Sequence, residues 1–184
     1  MFQKLLKKTA RALDRCGISY MIIGGQALLI YGEPRLTKDI DIILGVGIGE
    51  LSKVKTLIEK LGLKILPDDP EDFVKKTMVL PSIDESSGIR VDFIFSFSAY
   101  ERQAIERARP VKLGGTSVQF ASLEDLVIHK VIAGRARDIE DIKSVLIINP
   151  VYNDKYIEDW LGEFDRSLKG NFLELFKTIE SEIA

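Results

Sequence analysis

The sequence is short of the residues that build covalent or soft-metal frameworks. Cys16 is its only cysteine and His129 its only histidine. One cysteine excludes an intramolecular disulfide and a cysteine-built zinc site. One histidine, with nothing nearby to supply a triad, reads as a packing or surface residue rather than a base. No apolar run approaches the ~18 residues that a membrane helix requires. Neither sign of charge dominates: 26 Lys+Arg stand against 28 Asp+Glu, a net charge of −2. No global basic field therefore favours nucleic acid. Residues 1 to 15 carry Lys4, Lys7, Lys8, Arg11, Asp14 and Arg15 at helical spacing, unlike a signal peptide. A cytoplasmic protein without a membrane partner is the expectation.

What is present is an ordinary globular composition, 46% hydrophobic and 29% charged over 184 residues. That length suits one compact domain, or a core with a small appendage, and can bury a real core. Phe2, Leu5, Leu6, Thr9, Leu13 and Cys16 recur at helical spacing, so residues 2–15 read as an amphipathic helix stopped by Gly17. Strands are expected at 19–24, 39–44 and 89–96, with a short one at 63–66. Helices are expected at 26–31, 50–61 and 98–108. Residues 67–72 read as a turn, 73–80 as extended and 82–88 as a polar turn. A hairpin about Gly114-Gly115 fills 111–120. After Ser122 the pattern is helical, with breaks near Gly134, Asn149-Pro150 and Gly170. The last segment, 154–184, reads as a helical hairpin packed on the core or on a partner. The organisation is α/β first, then helices: a core over 1–121 and a helical segment over 122–184.

One stretch carries chemistry. An apolar run ending at Ile23 enters Gly24-Gly25, a short apolar segment and a basic loop follow, and Asp39-Ile40-Asp41 sits in a second apolar run. Alternation along a strand points Asp39 and Asp41 to one face and Ile40 and Ile42 to the other. Two carboxylates that close repel each other unless a cation neutralises them. Mg²⁺ typically takes one or two carboxylates plus substrate phosphates. Glycines let the backbone turn sharply and approach a ligand, and N–H groups opening a helix favour an anion.

This ordered pattern resembles the nucleotidyltransferase superfamily, the fold of DNA polymerase beta and of small antibiotic nucleotidyltransferases. The likeness rests on Gly24-Gly25, the spacer Gln26 to Lys38, and Asp39-Ile40-Asp41, and it covers about residues 18–148. Gly32, Arg35, Thr37 and the later Glu124-Asp125-Leu126 resemble the AbiEii-like toxin and small uncharacterised nucleotidyltransferase group. The resemblance implies an α/β (α+β) fold with a central mixed sheet flanked by helices. It implies an NTP donor, a hydroxyl acceptor and two Mg²⁺ ions.

A third carboxylate should come from a neighbouring strand. Asp92 is the candidate, embedded in Ile89-Arg90-Val91-Asp92-Phe93; its alternative is a simple pair with Arg90. Asp39, Asp41 and Asp92 are thus the expected catalytic and metal-binding set. Gly24, Gly25, Arg35, Thr37 and Lys38 are the expected nucleotide contacts. Gly25 departs from the Gly-Ser version of the motif and removes one hydroxyl donor. Lys130, on an apolar helical seam, either snorkels or meets an anion; the family's Asp-x4-Lys element implies that it approaches the phosphates. Ser122 with Asp125 fits a helix cap better than catalysis. Arg135, Arg137, Asp138 and Asp141 read as local ion pairs, and Gly134 either continues one helix or ends it.

The expected activity moves a nucleoside monophosphate from an NTP, ATP among the candidates, to a hydroxyl on RNA, protein or a small molecule. A tRNA acceptor would give a toxin, with a cognate antitoxin as partner; a homo-oligomer is the other partner considered. The alternative is an inert nucleotide-binding regulator or protein-interaction module of the same fold. A dinucleotide-binding oxidoreductase is disfavoured, because the glycine turn lacks its third glycine. The basic stripe on the first helix reads as a solvated face, with RNA phosphates as the alternative.

Overall fold

Three largely buried strands, β1 (Tyr20–Ile23), β2 (Asp39–Leu44) and β5 (Ile89–Phe95), the last with alternating burial, organise the first of two compact units, residues 1–26 and 36–121. The computed structural model describes residues 2–35, 37–96 and 98–183. Two expected segments, the spacer loop and the last helix, thus each include one position outside the described residues, Leu36 and Ala184. The three strands join β3 (Lys64–Ile65), β4 (Val79–Asp84), β6 (Arg109–Leu113) and β7 (Thr116–Phe120) in one mixed sheet of order β3-β4-β5-β2-β1-β7-β6. β2 runs antiparallel to β1 and parallel to β5. Ile40, Ile42, Val91 and Phe93 are fully buried. Each such side chain stabilises the sheet by about 1.5–3 kcal/mol.

Helix α1 (Phe2–Arg15) packs on β7 and buries Leu5, Leu6, Thr9, Ala10 and Leu13, the face its periodicity predicts. Lys8 Nζ donates to the Leu61 carbonyl at 2.5 Å, tying α1 to the end of α3 (Leu51–Lys60). α5 (Ala99–Glu106) starts on a capping box of Ser98 and Glu101.

One region differs from expectation. Residues 70–77 form helix α4 rather than a turn and an extended run. Asp69 caps it by accepting from Asp72 N–H at 3.0 Å, Pro70 opens the first turn, and Lys75 and Lys76 lie in the last. These are helix signals that outweigh the extended look of 73–80. Met78 ends the helix at φ +60°, and β4 then runs on to Asp84 through part of the expected polar turn. That strand pairs with β5 on its other edge, placing Pro81 opposite Asp92.

The second unit comprises residues 27–35 and 122–184. It holds the end of α2 (Gly24–Ile30), then α6 (Leu123–Ala133), α7 (Ala136–Ile148), α8 (Asp154–Leu168) and α9 (Phe172–Ile183). Gly134, at φ +59°, ends α6, so the helix is broken there. α8 and α9 form the expected hairpin and pack on α6 and α7 within this unit, burying Ile157, Leu161, Phe176 and Ile179. Asn149 Nδ2 donates to the Tyr31 carbonyl at 2.9 Å. No helix among the described residues is long and apolar enough to cross a membrane.

Candidate functional site

Register brings the acidic residues together in the first unit. Asp41 lies opposite Asp92 and Asp39 opposite Arg90 on the parallel pair β2 and β5. Partners at one register position, and residues two apart on a strand, share a face. Asp39, Asp41, Arg90 and Asp92 therefore line one face, while Ile40, Val91 and Phe93 fill the other and are buried. On β1, Ile23 pairs with Asp41, which sets the glycine turn beside that carboxylate.

The glycine pair is fitted to these neighbours. Gly24 sits at φ +66°, where L side chains are strained, and a Cβ there would overlap the Asp41 carboxylate. A Cβ on Gly25 would come 2.9 Å from Thr37 Cβ. Thr37 Oγ1 donates to Asp39 Oδ1. Lys38 is exposed, and its carbonyl accepts the Arg90 N–H at 3.2 Å. Gly24, Gly25, Thr37, Lys38, Asp39, Asp41 and Asp92 thus fall in one neighbourhood, although they lie up to β5 apart in the chain.

Arg90 is the residue that the sequence reading undervalued. Its Nε donates to Asp92 Oδ1 at 2.6 Å. That hydrogen bond raises the guanidinium pKa, burial opposes it, and the charges of Asp92, Asp41 and Asp39 add to the rise. One guanidinium therefore feels all three carboxylates. The signal was visible in the sequence as a base two residues before Asp92. Among the described residues no group of three or more His, Cys, Asp or Glu side chains is arranged to hold a metal ion. The donors fit Mg²⁺ in kind, being hard oxygens on one strand face. Here Asp92 meets Arg90 and Asp39 meets Thr37 instead.

Arg35 and Lys130 meet in the second unit. Lys130 Nζ donates to Asp138 at 2.9 Å and to Asp141 at 2.7 Å, and Arg35 pairs with the same Asp141 oxygen. Arg135 Nε adds a 2.5 Å bond to Asp138. Asp138 is 1% exposed and is bonded from the preceding helix by Lys130, while its pair with the exposed Arg135 is the expected local one. Asp138 falls in the first turn of α7 but does not cap it. Burial drives the Lys130 pKa down against its carboxylate partner. Burial opposes the charge of Asp138, yet Arg135 and Lys130 hold its pKa below the ordinary value. Asp125 is buried, accepts from Ser122 Oγ at 2.5 Å and Tyr156 Oη at 2.9 Å, and its N–H is capped by Ser122.

Three solved structures share this arrangement of strands and helices. The antibiotic-resistance factor ANT(2″)-Ia aligns over 91% of this chain and 92% of its own, with TM-score 0.63 and 16% identity. An antigenic nucleotidyltransferase-like protein from Paracoccidioides brasiliensis aligns over 97% and 91%, with TM-score 0.60 and 16% identity. The lincosamide antibiotic adenylyltransferase LnuA, lincomycin-bound, aligns over 74% and 91%, with TM-score 0.50 and 18% identity. At these identities the likeness establishes the fold. The class follows from the sequence match: residues 2–158 match the family described as nucleotidyltransferase of unknown function (DUF6036), and the chain belongs to it. No curated protein matches the sequence.

Proposed function

We propose that this nucleotidyltransferase moves a nucleoside monophosphate from an NTP, ATP by analogy with the adenylyltransferase LnuA, to a hydroxyl of a small molecule. The supporting observation is the alignment of Asp41 with Asp92 on adjacent strands, with Gly24 closed against Asp41. Asp39, Asp41 and Asp92 would hold Mg²⁺, which when bound supplies charge neutralisation at the triphosphate and activates the acceptor hydroxyl.

The chain's own residues supply position. Gly24 and Gly25 present bare backbone beside the carboxylates. Thr37 orients Asp39 through its hydroxyl. Arg90 takes Oδ1 of Asp92, leaving Oδ2 to accept the proton of the attacking hydroxyl. The acceptor oxygen, freed of its proton, attacks the α-phosphorus in line, the bond to the α–β bridging oxygen breaks, and pyrophosphate leaves. Lys38 gives an exposed cation for the phosphates. Arg35 and Lys130 serve the same end only by exchanging Asp138 and Asp141 for phosphate oxygens.

The small-molecule acceptor draws on the lincomycin-bound LnuA and on ANT(2″)-Ia, solved with adenylyl-2″-tobramycin. An AbiEii-like toxin role, with a tRNA acceptor and an antitoxin, rests on Gly32, Arg35, Thr37 and residues 124–126 alone. The inert-regulator reading has one observation in its favour, the occupation of Asp92 by Arg90.

The test supplies each α-labelled NTP with Mg²⁺ and either a metabolite fraction or a macromolecular fraction of a cell extract. Label should pass to the small-molecule fraction with wild type and not with Asp41→Asn. Stoichiometric NTP binding with no transfer to either fraction rejects the enzyme in favour of the regulator. Label in RNA or protein rejects the small-molecule acceptor.

A further inference from the structure

A groove of about 730 Å³ runs between α1 and α3, and Lys4, Lys7, Lys8, Arg11, Arg15 and Lys60 line it. None of these belongs to the site described above. Among the described residues none of the six forms an ion pair. Lys55, Lys64 and Lys76, elsewhere in the first unit, each pair with a carboxylate. A chain of net charge −2 thus gathers six cations about one concavity, none of them in an ion pair, with Lys8 held by the Leu61 carbonyl. Their mutual repulsion costs free energy that folding alone does not recover.

The arrangement is linear. Lys4, Lys8, Arg11 and Arg15 are spaced by four, three and four residues, so they follow one helical face over about 16 Å. Lys60 stands at the C-terminal end of α3 across the groove. The floor offers no large apolar anchor: Leu57 is 1% and Leu61 4% exposed, and only the half-buried Ala12 and Cys16 join them. An amphipathic helix laid in a groove needs such anchors. No aromatic side chain lines the groove, so no base-stacking platform is provided. What a row of cations without anchors or platforms recognises is a line of regularly spaced anions, read without regard to sequence.

We propose that the α1–α3 groove binds the phosphate backbone of a single-stranded nucleic acid, independently of base sequence. A concave cleft admits one strand, whereas a duplex meets only its rim. Asp84 bounds an adjoining hollow beside Lys4, Lys8 and Gly62 and marks an end to the cationic track.

The experiment is fluorescence anisotropy without NTP, using labelled oligo-U and oligo-dT of roughly 12 nucleotides. Both should bind, within about threefold of each other, with a log–log salt slope near −3 for about four phosphate contacts. The triple substitution Lys4→Gln, Arg11→Gln, Arg15→Gln removes exposed side chains. It should keep the wild-type melting curve, weaken binding at least about tenfold and flatten the slope by about 2. Asp41→Asn should bind like wild type, which separates this proposal from the one for the nucleotidyltransferase site. An unchanged slope in the triple variant overturns the proposal. So does the absence of saturable binding at low salt, tighter binding of a duplex, or equal binding of polyglutamate.

Discussion

Asp41 stands beside Asp92 at one register position of β2 and β5, with Arg90 bonded to the second of them. Like charges on adjacent strands are costly, and one guanidinium serves three carboxylates here. Asp41→Asn is expected to leave the free protein as stable as wild type or slightly more so, while lowering turnover by about 10³-fold. Mg²⁺ should raise the wild-type melting temperature and leave that of Asp41→Asn unchanged. At a hundred times the dissociation constant the wild-type gain is about 2.7 kcal/mol. Equal Mg²⁺ shifts in both proteins would remove the metal role from Asp41.

Gly24 allows a second measurement. Alanine there meets a left-handed backbone and an overlap with the Asp41 carboxylate. Gly62 has nearly the same φ, +67°, with nothing within 4 Å of a built Cβ. Gly62→Ala should therefore cost about 1–2 kcal/mol from backbone strain alone. Gly24→Ala should cost more in urea unfolding and abolish nucleotide binding, since only it displaces Asp41. Equal costs would mean that the overlap relaxes freely.

The buried cluster of the second unit predicts a pH dependence. The folded-state pKa of Asp138 lies below its ordinary 3.8. Its contribution to stability is therefore present above pH 3.8 and lost as pH falls through the lowered value. Asp138→Asn should lose about 3 kcal/mol at neutral pH, because Lys130 and Arg135 each lose a partner. The variant's acid unfolding should be shallower than that of wild type below pH 3.8. Lys130 gives a slope of the same sign in a more alkaline window: its depressed pKa means that the unfolded state holds more protons there, so its own term also raises stability as pH rises toward 10.5. Urea midpoints between pH 3 and 10 give both slopes.

The neighbourhood of Gly24, Gly25, Asp39 and Asp41 was legible because period-two alternation and a glycine pair are local signals. Asp92 was legible because a charge inside Ile89–Phe95 needs a partner. Its register against Asp41 was not, since nothing in either strand states which residues pair across β2 and β5. The fate of Lys130 was hidden for a similar reason. Its seam position is local, whereas Asp138 and Asp141 reach it only after Gly134 turns the chain out of α6. Helix α4 was missed because residues 67–72 read as a turn, although Asp69 and Pro70 there cap and open the helix. The same residues that suit a turn also satisfy the orphan N–H groups that open a helix.

Arg90 yields the sharpest expectation about the metal. Its guanidinium binds Asp92 at 2.6 Å and is drawn further by Asp41 and Asp39, so it occupies the role a divalent cation would share. Replacing it with Met removes a competitor for the same oxygens and leaves three carboxylates without their charge partner. Without Mg²⁺, Arg90→Met should therefore be less stable than wild type at neutral pH, by about 0.5–1 kcal/mol for a half-exposed arginine whose pair is partly screened. Mg²⁺ should bind it about tenfold more tightly and restore the lost stability, as read by calorimetric titration and melting. If Arg90 instead helps to shape the cation site, the variant will bind Mg²⁺ more weakly than wild type, and the competition argument falls.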